Sequence, residues 1–583
     1  MKFLLAITLT LSIAAQPFVS ASAQKSAKAR ALTEDQRILH VLNRLGFGAR
    51  PGDIERVKSI GLDNYINQQL NPEKIADTVA ENKIKDLTVL NMTTAQLYEK
   101  YPQPGQLLRQ LQARGMLPAE LAEARENRVK GGANSSAAEM PKNDSMPQTP
   151  PPGNPLENEK YRKVLQDYYR ENGLQQPQRI IAELHASRIL RAVYSERQLQ
   201  EVMVDFWTNH FNVFAGKGAD RWLLPAYDRD TIRPHALSKF STLLQATAQS
   251  PAMLFYLDNF QSVSPNAVQR LRVPQQQQRR GINENYAREL MELHTLGVEG
   301  GYTQKDVQEV ARCFTGWTIF QPRGGGAAVN AMMGEAGRRN AGTFFFNNRT
   351  HDDGEKTVLG HKIPAGGGIK DGLTVLDILA RHPSTAKYIA TKLVRHFVAD
   401  DPPPALVDRV AAAFTKSDGD IRETLKAIFF SKEFNSTEAY RAKIKRPFEL
   451  VISAIRTLGA ETNGGPATHQ WIARMGEPLY GFQTPNGYSY AAESWVNTGG
   501  LLERMNFGLA LAGNRVQGTR VDLTRFTSGD KSQSKVMDEL LKTILAGEIS
   551  PATRETLLKQ LDQSDPVTKV VGLILGTPEF QRQ

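Results

Sequence analysis

Apolar residues recur at helical spacing along most of the chain. Positions 38–45 place four of them at i, i+3, i+4 and i+7, directly after a capping box formed by Thr33 and Gln36. A second capping box, Thr303 with Asp306, precedes a similar stripe. Further stripes lie at positions 199–206, 283–296, 307–314, 386–398, 421–430, 446–458 and 499–511. The pattern predicts a mainly α-helical protein, and because strands and helices do not alternate, a Rossmann-like sheet is not expected.

One region has the pattern of β-strands. Positions 343–346 and 357–359 are rich in aromatic and β-branched residues, and they flank the turn-forming sequence His-Asp-Asp-Gly at 351–354. These segments predict a single β-hairpin near positions 343–363. The expected fold class is therefore a large multi-helix body with one β-hairpin excursion and long flexible insertions.

Soft segments divide the chain. Residues 131–155 are rich in Gly, Asn, Ser and Pro and too poor in apolar side chains to order themselves, which predicts a flexible insertion. Shorter segments at 275–281 and 324–342 have the composition of loops. We expect an N-terminal helical region at 24–130, the insertion at 131–155, and a main helical domain at 156–583 that contains the hairpin.

The first 23 residues have the three parts of a secretory signal peptide. Lys2 supplies the positive charge, residues 3–15 are apolar, and Ala21-Ser22-Ala23 is a small-x-small cleavage sequence. The apolar run is shorter than the about 20 residues that a spanning helix needs, and no later stretch is long and apolar enough. We expect cleavage after Ala23 and a soluble bacterial protein, periplasmic or secreted, with no transmembrane anchor.

Composition excludes several classes of protein. The 583 residues are 40% hydrophobic and 23% charged, which is ordinary globular material and argues against wholesale disorder. The formal net charge is +11, of which Lys2 carries one unit that leaves with the signal peptide. Such a charge would suit an acidic polysaccharide or anionic lipid, but the Lys and Arg residues are dispersed, so solubility explains it better. No specific nucleic-acid binding is expected.

Local catalytic signatures are absent from the sequence. It contains no P-loop, no H-E-x-x-H and no G-x-S-x-G, and Gly46, Gly48 and Gly52 miss the dinucleotide-binding spacing. Cys313 is the single cysteine, which excludes an intramolecular disulfide, and its apolar neighbours indicate a buried residue. Any chemistry must come from polar clusters that the fold brings together.

The first polar cluster begins at Glu284. On a helix, Glu284, Arg288 and Glu292 stack at i, i+4 and i+8, with Glu289 on the adjacent row and His294 further along. Paired carboxylates beside a histidine suit a divalent metal or proton transfer. The same spacing also forms an ion-pair ladder, each pair worth about 0.2–0.5 kcal/mol, beside a half-buried histidine. Both interpretations stand.

The second cluster lies at the predicted C-terminus of a helix. Asp205 and Asn209 are separated by one turn and offer oxygen ligands beside His210, with Trp207 between them as a candidate binding residue. The helix dipole alone favours a cationic histidine at this place, so a purely structural role is an equal alternative.

The third cluster is His351 with Asp352, in the predicted hairpin loop. Adjacent His and Asp residues can ligate a metal together, and loops often carry functional residues. Asp-Asp-Gly is also ordinary turn chemistry.

The fourth cluster is aromatic. Five aromatic residues, including Tyr488 and Trp495, lie among Gly, Pro and Asn between positions 480 and 495. They would either stack on a sugar or peptide ligand, or plug an irregular C-terminal segment.

These segments together resemble a known bacterial family. The stretch NENYARELMELHTLGVEGGYTQKDVQEVARCFTGW at 283–317 is closely similar to the signature of the family called domain of unknown function 1800. Segments similar to the same family lie at 40–55, 206–213, 351–360, 392–398, 445–451 and 493–507. The resemblance spans nearly the whole mature chain.

The resemblance implies an exported, largely helical protein, but it supplies no catalytic residues. Genes of this family often lie beside one for a second exported family, domain of unknown function 1501, which is related to sulfatase and phosphatase folds. A co-exported sulfatase-like protein is therefore the implied partner. This chain differs from the family where Asn486-Gly487-Tyr488 replaces the usual Gly-Trp, which would make Tyr488 a weaker binding platform.

Two functional hypotheses follow. In the first, the clusters converge into a hydrolytic site that acts on an envelope or extracellular polymer such as a polysaccharide, with a divalent cation that activates water. Its catalytic residues would be Asp352, Glu289 and Glu292, its metal ligands His210, His294 and His351, and its binding residues Trp207, Asn209, Arg288, Tyr488 and Trp495. In the second hypothesis, the protein is a non-catalytic helical partner of the sulfatase-like protein, and the aromatic segment is an interface anchor.

Overall fold

The amphipathic stripes fold into α-helices throughout. A computed structural model describes residues 31–117, 159–270, 281–321, 339–527, 532–560 and 566–583, together with residues 334 and 337. The predicted signal peptide and the insertion at 131–155 lie outside the described residues. The mainly α-helical fold class is confirmed.

The helices are numbered here in chain order. The first half of the chain contains α1 Glu34–Arg44, α2 Asp53–Ile60, α3 Leu62–Gln69, α4 Thr78–Ile84, α5 Thr94–Lys100, α6 Pro104–Ala113, α7 Glu159–Glu171, α8 Gln178–Tyr194, α9 Gln198–His210, α10 Asp220–Ala226, α11 Arg233–His235, α12 Phe240–Gln249, α13 Pro251–Tyr256, α14 Pro265–Arg270 and α15 Glu284–Glu289. The second half contains α16 Gln304–Cys313, α17 Ile369–Arg381, α18 Pro383–Phe397, α19 Pro404–Lys416, α20 Ile421–Phe429, α21 Pro447–Thr457, α22 Pro466–Arg474, α23 Thr498–Ala512, α24 Thr524–Thr527, α25 Gln533–Leu545, α26 Pro551–Leu558, α27 Pro566–Leu575 and α28 Pro578–Gln581. Short 3₁₀ turns lie at Pro72–Lys74, Thr88–Asn91, Asn259–Gln261, Asn348–Thr350 and Ala492–Ser494.

Both predicted capping boxes are present. Thr33 accepts from the main-chain N–H of Gln36 and the Gln36 side chain accepts from Thr33, so α1 begins where the pattern indicated. Thr303 and Asp306 form the same pair of bonds at the start of α16. A cap satisfies N–H groups that the first helical turn leaves without partners, and it depends only on near neighbours in sequence.

The predicted helix at 283–296 changes character halfway. It is α-helical over Glu284–Glu289 and then widens into a π-helix at Leu290–Thr295. The N–H of Leu296 bonds to the carbonyl of Met291, five residues back, and the Thr295 hydroxyl donates to the Leu290 carbonyl at 2.7 Å. A second π-helix lies at Tyr227–Ile232. The wider turn shifts every side chain after Glu289 away from the row that α-helical spacing assigns.

Three small antiparallel strand pairs accompany the helices. They pair β1 Trp317–Phe320 with β2 Thr343–Phe346, β3 Lys356–Val358 with β4 His361–Ile363, and β5 Glu461–Thr462 with β6 Thr519–Arg520. The predicted pairing of 343–346 with 357–359 is therefore wrong. β2 lies beside β1, with Trp317 opposite Phe346, while β3 turns back on β4 through a two-residue loop at Leu359 and Gly360.

Contacts with residues outside 343–346 and 357–359 explain why these two strands do not pair with each other. Trp317 is fully buried, and its ring lies 5.3 Å from that of Phe344 and 4.8 Å from that of Phe314, so β2 covers a buried aromatic. In the β3–β4 loop both residues have positive φ, at 49° and 81°, which suits a tight hairpin turn.

One large hydrophobic core connects most of the helices. Two smaller clusters lie in the first half of the chain: α6 and α7 meet around Leu107, Leu111 and Leu165, and α5 packs on Trp222. Within the described residues, no helix is both long and apolar enough to cross a bilayer. A cleft forms where α9 and α18 meet the irregular segment at 476–495.

Candidate binding cleft

A cleft of about 1050 Å³ opens between α18 and the segment at 476–495. This volume is slightly above the usual range for ligand pockets, which is about 300–1,000 Å³. Its aromatic lining consists of Phe482, Tyr488, Tyr490 and Trp495, and its charged lining of Lys392, Arg395, Asp400 and Glu493. Amide and hydroxyl groups of Gln483, Thr484, Asn486, Ser489 and Ser494 complete the wall. The predicted binding residues Tyr488 and Trp495 thus lie in one cleft.

Asn209, another predicted binding residue, forms two hydrogen bonds with the main chain of the aromatic segment. Its side-chain N–H donates to the Tyr488 carbonyl at 2.9 Å, and its side-chain oxygen accepts from the Tyr488 N–H at 2.7 Å. Gly487 permits this contact: its φ is +71°, and a Cβ there would lie 2.2 Å from the Asn209 carbonyl oxygen. Asn209 is therefore a positioning residue for the cleft wall.

Further hydrogen bonds hold the irregular segment in place. The Asn212 side chain donates to the carbonyls of Phe482 at 3.0 Å and Thr484 at 2.9 Å, and the Tyr256 hydroxyl donates to that of Gln483 at 2.8 Å. The Trp495 indole donates to the Ser489 carbonyl at 2.9 Å. Because these bonds are made within the protein, the rings that line the cleft are ordered before any ligand arrives.

His210 and Lys392 form a pair at the base of the cleft. The Nζ of Lys392 lies 2.8 Å from Nδ1 of His210, and Nε2 of His210 lies 3.1 Å from the carbonyl oxygen of His294. A neutral His210 that donates through Nε2 to this carbonyl leaves Nδ1 as the acceptor for Lys392. Burial and the charge of Arg395 lower the pKa of Lys392 to about 7.

The environment of His210 keeps the ring neutral. Burial, followed by the charge of Lys392, lowers the pKa of His210 well below its usual value. The predicted effect of a helix dipole on a cationic His210 is therefore wrong, because desolvation and a neighbouring cation outweigh it. Burial also lowers the pKa of His294 to about 3, and its Nε2 has no hydrogen-bond partner in the described part of the chain.

The proposed metal ligands are not brought together as a metal site. His210 uses both ring nitrogens, its ring centroid lies 6.3 Å from that of His294, and His351 belongs to another cluster. Among the residues that the structure describes, no three His, Cys, Asp or Glu side chains are grouped so as to hold a metal ion. Geometry therefore gives the metal hypothesis no support.

His351 and Asp352 lie in a buried ion-pair cluster beneath the β3–β4 hairpin. Nδ1 of His351 bonds to the Thr315 carbonyl at 2.8 Å, and Nε2 lies 3.1 Å from the Asp371 carboxylate, which also accepts from Lys356 at 2.6 Å. All four side chains are buried. The arrangement satisfies the polar groups internally, which is the pattern of a structural cluster.

Asp352 is poorly suited to act as a base. It is paired with Arg312 at 2.9 Å. Burial opposes its ionised form, but the hydrogen bond and charge of Arg312 outweigh burial and hold the pKa of this carboxyl below its usual range.

The predicted ion-pair ladder of Glu284, Arg288 and Glu292 is replaced by hydrogen bonds to residues outside the ladder. Arg288 donates to the side-chain oxygen of Gln304 at 2.6 Å, and Gln304 in turn donates to Glu284 at 2.7 Å, so a glutamine on α16 bridges the two. Glu292 accepts from the Tyr302 hydroxyl at 3.1 Å. The change to π spacing explains why Arg288 and Glu292 do not stack as an α-helix would place them.

Glu289 does not line the cleft. Burial and the neighbouring charge of Glu292 raise the pKa of Glu289. The charge of Glu289 in turn contributes to a raised pKa of Tyr256, although burial is the larger cause, and Tyr256 is the residue that binds the cleft segment.

Trp207 has a structural position. It is fully buried on α9, and its indole donates to the carbonyl of Ala236 at 2.9 Å. Its predicted role in binding is not compatible with this burial, because no part of the ring is exposed to a ligand.

A buried ion network lies beside the contact between Asn209 and Tyr488. Asp205 on α9 binds Arg188 at 2.8 Å and also Arg446, and Arg446 binds Glu477. Burial raises the pKa of Glu477, although the charge of Arg446 acts in the opposite direction. The network joins α8, α9 and the start of α21 to the beginning of the aromatic segment, so the cleft wall rests on a rigid base.

Several cleft residues were not identified from sequence. Lys392, Arg395 and Asp400 come from the end of α18 and the loop after it, and Glu493 comes from the irregular segment. A lysine on an otherwise amphipathic helix gives no local signal of a site. Only its proximity to His210, 182 positions earlier in the chain, distinguishes it.

Fold and site together define a mainly α-helical protein with an open aromatic cleft. The sequence pattern of the family described as "Protein of unknown function (DUF1800)" matches residues 40–582, and the chain belongs to this family. No curated protein and no solved structure matches the chain.

Proposed function

We propose that this chain is an exported protein whose aromatic cleft binds a saccharide segment of an envelope or extracellular polymer. The observation that carries the proposal is the lining of the cleft, where four aromatic rings alternate with amide, hydroxyl and carboxylate groups. The C–H faces of a sugar ring pack on aromatic rings, and its hydroxyls need donors and acceptors around the rim. The predicted signal peptide at 1–23 would bring the protein to such a polymer.

The arrangement of the rings supports the same ligand. The centroids of Phe482 and Tyr488 are 4.5 Å apart with their planes tilted by 55°, and those of Tyr488 and Trp495 are 5.9 Å apart with a tilt of 49°, so the three rings form one angled cluster in which Phe482 and Tyr488 are half-buried and Trp495 is 6% exposed. Tyr488, the weaker platform expected from sequence, lies between the other two. A surface of several rings suits a chain of sugars better than a single small ligand.

Lys392 supports a second candidate, proton transfer on the bound polymer. With a pKa of about 7, which burial causes, this lysine is partly uncharged at neutral pH and can accept a proton, while the hydrogen bond to His210 holds it in place. This candidate replaces the metal-dependent hydrolase with a metal-free acid–base reaction on the same class of substrate.

Binding is tested with the purified protein and a panel of neutral and acidic polysaccharides, by calorimetry and by retardation in polysaccharide-containing gels. We expect at least one polysaccharide to bind, and Phe482→Ala to weaken that binding at least tenfold. Phe345→Ala is the matched control, because Phe345 is an exposed aromatic on β2, away from the cleft. Equal affinity of the Phe482 variant and wild type would contradict the proposal.

Catalysis is tested separately, by following new reducing ends or unsaturated products on the polysaccharide that binds. Lys392→Met should abolish product formation and retain binding. No product from the wild-type protein leaves the binding proposal intact and overturns the second candidate.

A further inference from the structure

A second cavity, of about 330 Å³, lies on a different face, where α1 and the loop before α2 meet α21 and α25. Two of the segments that resemble the family meet here, since Ala49 and Arg50 come from the first and Lys445 from a later one. Neither proposed function uses this cavity. Lys445 and Ser453 both line it.

The two side chains form a dyad. Nζ of Lys445 lies 2.8 Å from Oγ of Ser453. Lys445 is 4% exposed, and in the described part of the chain its ammonium makes no ion pair. Its Nζ also lies 4.1 Å from the centroid of the Phe580 ring. A lysine this deeply buried is rare without a carboxylate partner, because desolvation strongly disfavours its charged form.

The neutral form of Lys445 is accordingly accessible. Burial, followed by the charges of Arg441 and Arg504, lowers the pKa of Lys445 to about 7, although the carboxylate of Glu449 acts in the opposite direction. An uncharged amine beside a serine hydroxyl can accept its proton, which is the role that lysine takes in serine–lysine catalytic pairs.

The backbone leaves room for the hydroxyl. Ser453 lies in the middle of α21, facing Gly48 in the loop that follows α1. Gly48 has φ of +95°, and a Cβ at this position would lie 2.9 Å from Oγ of Ser453. A side chain at position 48 would therefore displace Ser453 or close the space beside it, and glycine also satisfies the backbone conformation.

The lining of the cavity indicates the class of substrate. Leu39, Ile54 and Phe580 make one part apolar, and another part carries the guanidinium groups of Arg50, paired with Glu196 at 2.5 Å, and of Arg441, paired with Glu548 at 3.1 Å. The volume suits a short acyl group, and cationic groups near a carbonyl stabilise the negative oxygen that forms when it is attacked.

We propose that Ser453 is an acyl-accepting nucleophile and Lys445 its general base, in a site that hydrolyses small esters. Oγ of Ser453 forms a bond to the acyl carbon as its proton passes to Nζ of Lys445. The bond between the acyl carbon and the alcohol oxygen breaks, and the alcohol leaves with that proton. Water then attacks the acyl-serine, Lys445 takes a proton from the water and returns it to Oγ, and the carboxylic acid is released.

The test uses a fluorophosphonate probe, which labels activated serines, with tryptic mass spectrometry to locate the adduct, and p-nitrophenyl acetate as the ester. We expect an adduct on the peptide that contains Ser453. Ser453→Ala and Lys445→Met should each lower labelling and ester hydrolysis at least tenfold, and the wild-type rate should rise as the pH passes through about 7. Ser59→Ala, an exposed serine on α2, is the matched control. An adduct elsewhere, or unchanged labelling of Ser453→Ala, overturns the proposal.

A second variant keeps the proposal testable if those variants fail to fold. Ser453→Cys places a thiol at the same position, and Cys313, the only native cysteine, is fully buried and serves as an internal reference. We expect iodoacetamide to alkylate the new thiol in the native protein much faster than Cys313. Equal protection of both thiols would mean that reagents do not reach position 453, and the proposal would be wrong.

Discussion

Nζ of Lys392 lies 2.8 Å from Nδ1 of His210, and this contact joins two motifs that are 182 residues apart. His210 in turn bonds to the main chain at His294, in the π-helical part of the central motif. Three segments singled out by sequence therefore meet behind one wall of the cleft. Burial lowers the pKa of both groups, with the charge of Arg395 as the second cause for Lys392 and the charge of Lys392 as the second cause for His210.

The first prediction concerns Lys392 and pH. Its folded-state pKa of about 7 is below the unfolded value, so between pH 7 and about 10 the unfolded chain binds more protons and stability rises with pH. Below pH 7 Lys392 is protonated in both states, and the cost of burying its ammonium lowers the free energy of unfolding by its full amount. Lys392→Met should therefore stabilise the protein at pH 6, and the gain should shrink by up to about 1.4 kcal/mol per pH unit above pH 7.

Urea unfolding at pH 6 to 10 measures this effect. Lys387→Met is the control, since Lys387 is an exposed lysine on the same helix. A gain from Lys392→Met that is equal at pH 6 and pH 10 would show that desolvation of the ammonium is not its cause.

The second prediction concerns acid sensitivity. Burial lowers the pKa of His294 to about 3, and burial with the charge of His469 lowers that of His185 to about 3. Because the unfolded histidines protonate near pH 6.5, stability should be lost as the pH falls from 6.5 toward 3. His294→Phe should reduce that slope by about 1.4 kcal/mol per pH unit. Denaturation midpoints at pH 8, 6 and 5 test it, and identical slopes for variant and wild type would refute it.

The third prediction concerns the two hydrogen bonds between the Asn209 side chain and the main chain of Tyr488. Asn209→Ala removes two hydrogen bonds and should cost about 1–3 kcal/mol, because the main-chain groups of Tyr488 lose their buried partners. Gly487→Ala should cost more, since its Cβ has no room and its φ is positive. Hydrogen exchange of the Tyr488 amide should accelerate in both variants. Unchanged protection of that amide would mean that Asn209 does not position the wall.

The fourth prediction separates structure from catalysis at the His351 cluster. Asp371→Ala leaves Lys356 buried without its carboxylate and should destabilise the protein by about 3–5 kcal/mol. Asp352→Asn should also lower stability, yet leave polysaccharide affinity unchanged. Thermal unfolding and calorimetry measure the two effects. Loss of affinity in Asp352→Asn at temperatures where it remains folded would restore a functional role to this residue.

The sequence by itself determined what depends on near neighbours. Helical periodicity placed α1, α9 and α16, and the capping boxes at Thr33 and Thr303 marked two of their starts, because a cap is made within one turn. The same logic identified 343–346 and 357–359 as strands. Resemblance in the long central motif indicated the family, which the match over residues 40–582 confirms.

Only the tertiary structure decided which distant residues meet. β2 pairs with β1 because it covers Trp317. The residue pattern within β2 does not indicate which strand will be its partner. The π turn after Glu289 moves His294 away from its expected row. Lys392 has an ordinary position in its helix, and its perturbed pKa arises from burial beside other cations. Burial, desolvation and long-range pairing are properties of the packed chain, so the cleft and the Lys445–Ser453 dyad became visible only after folding brought their parts together.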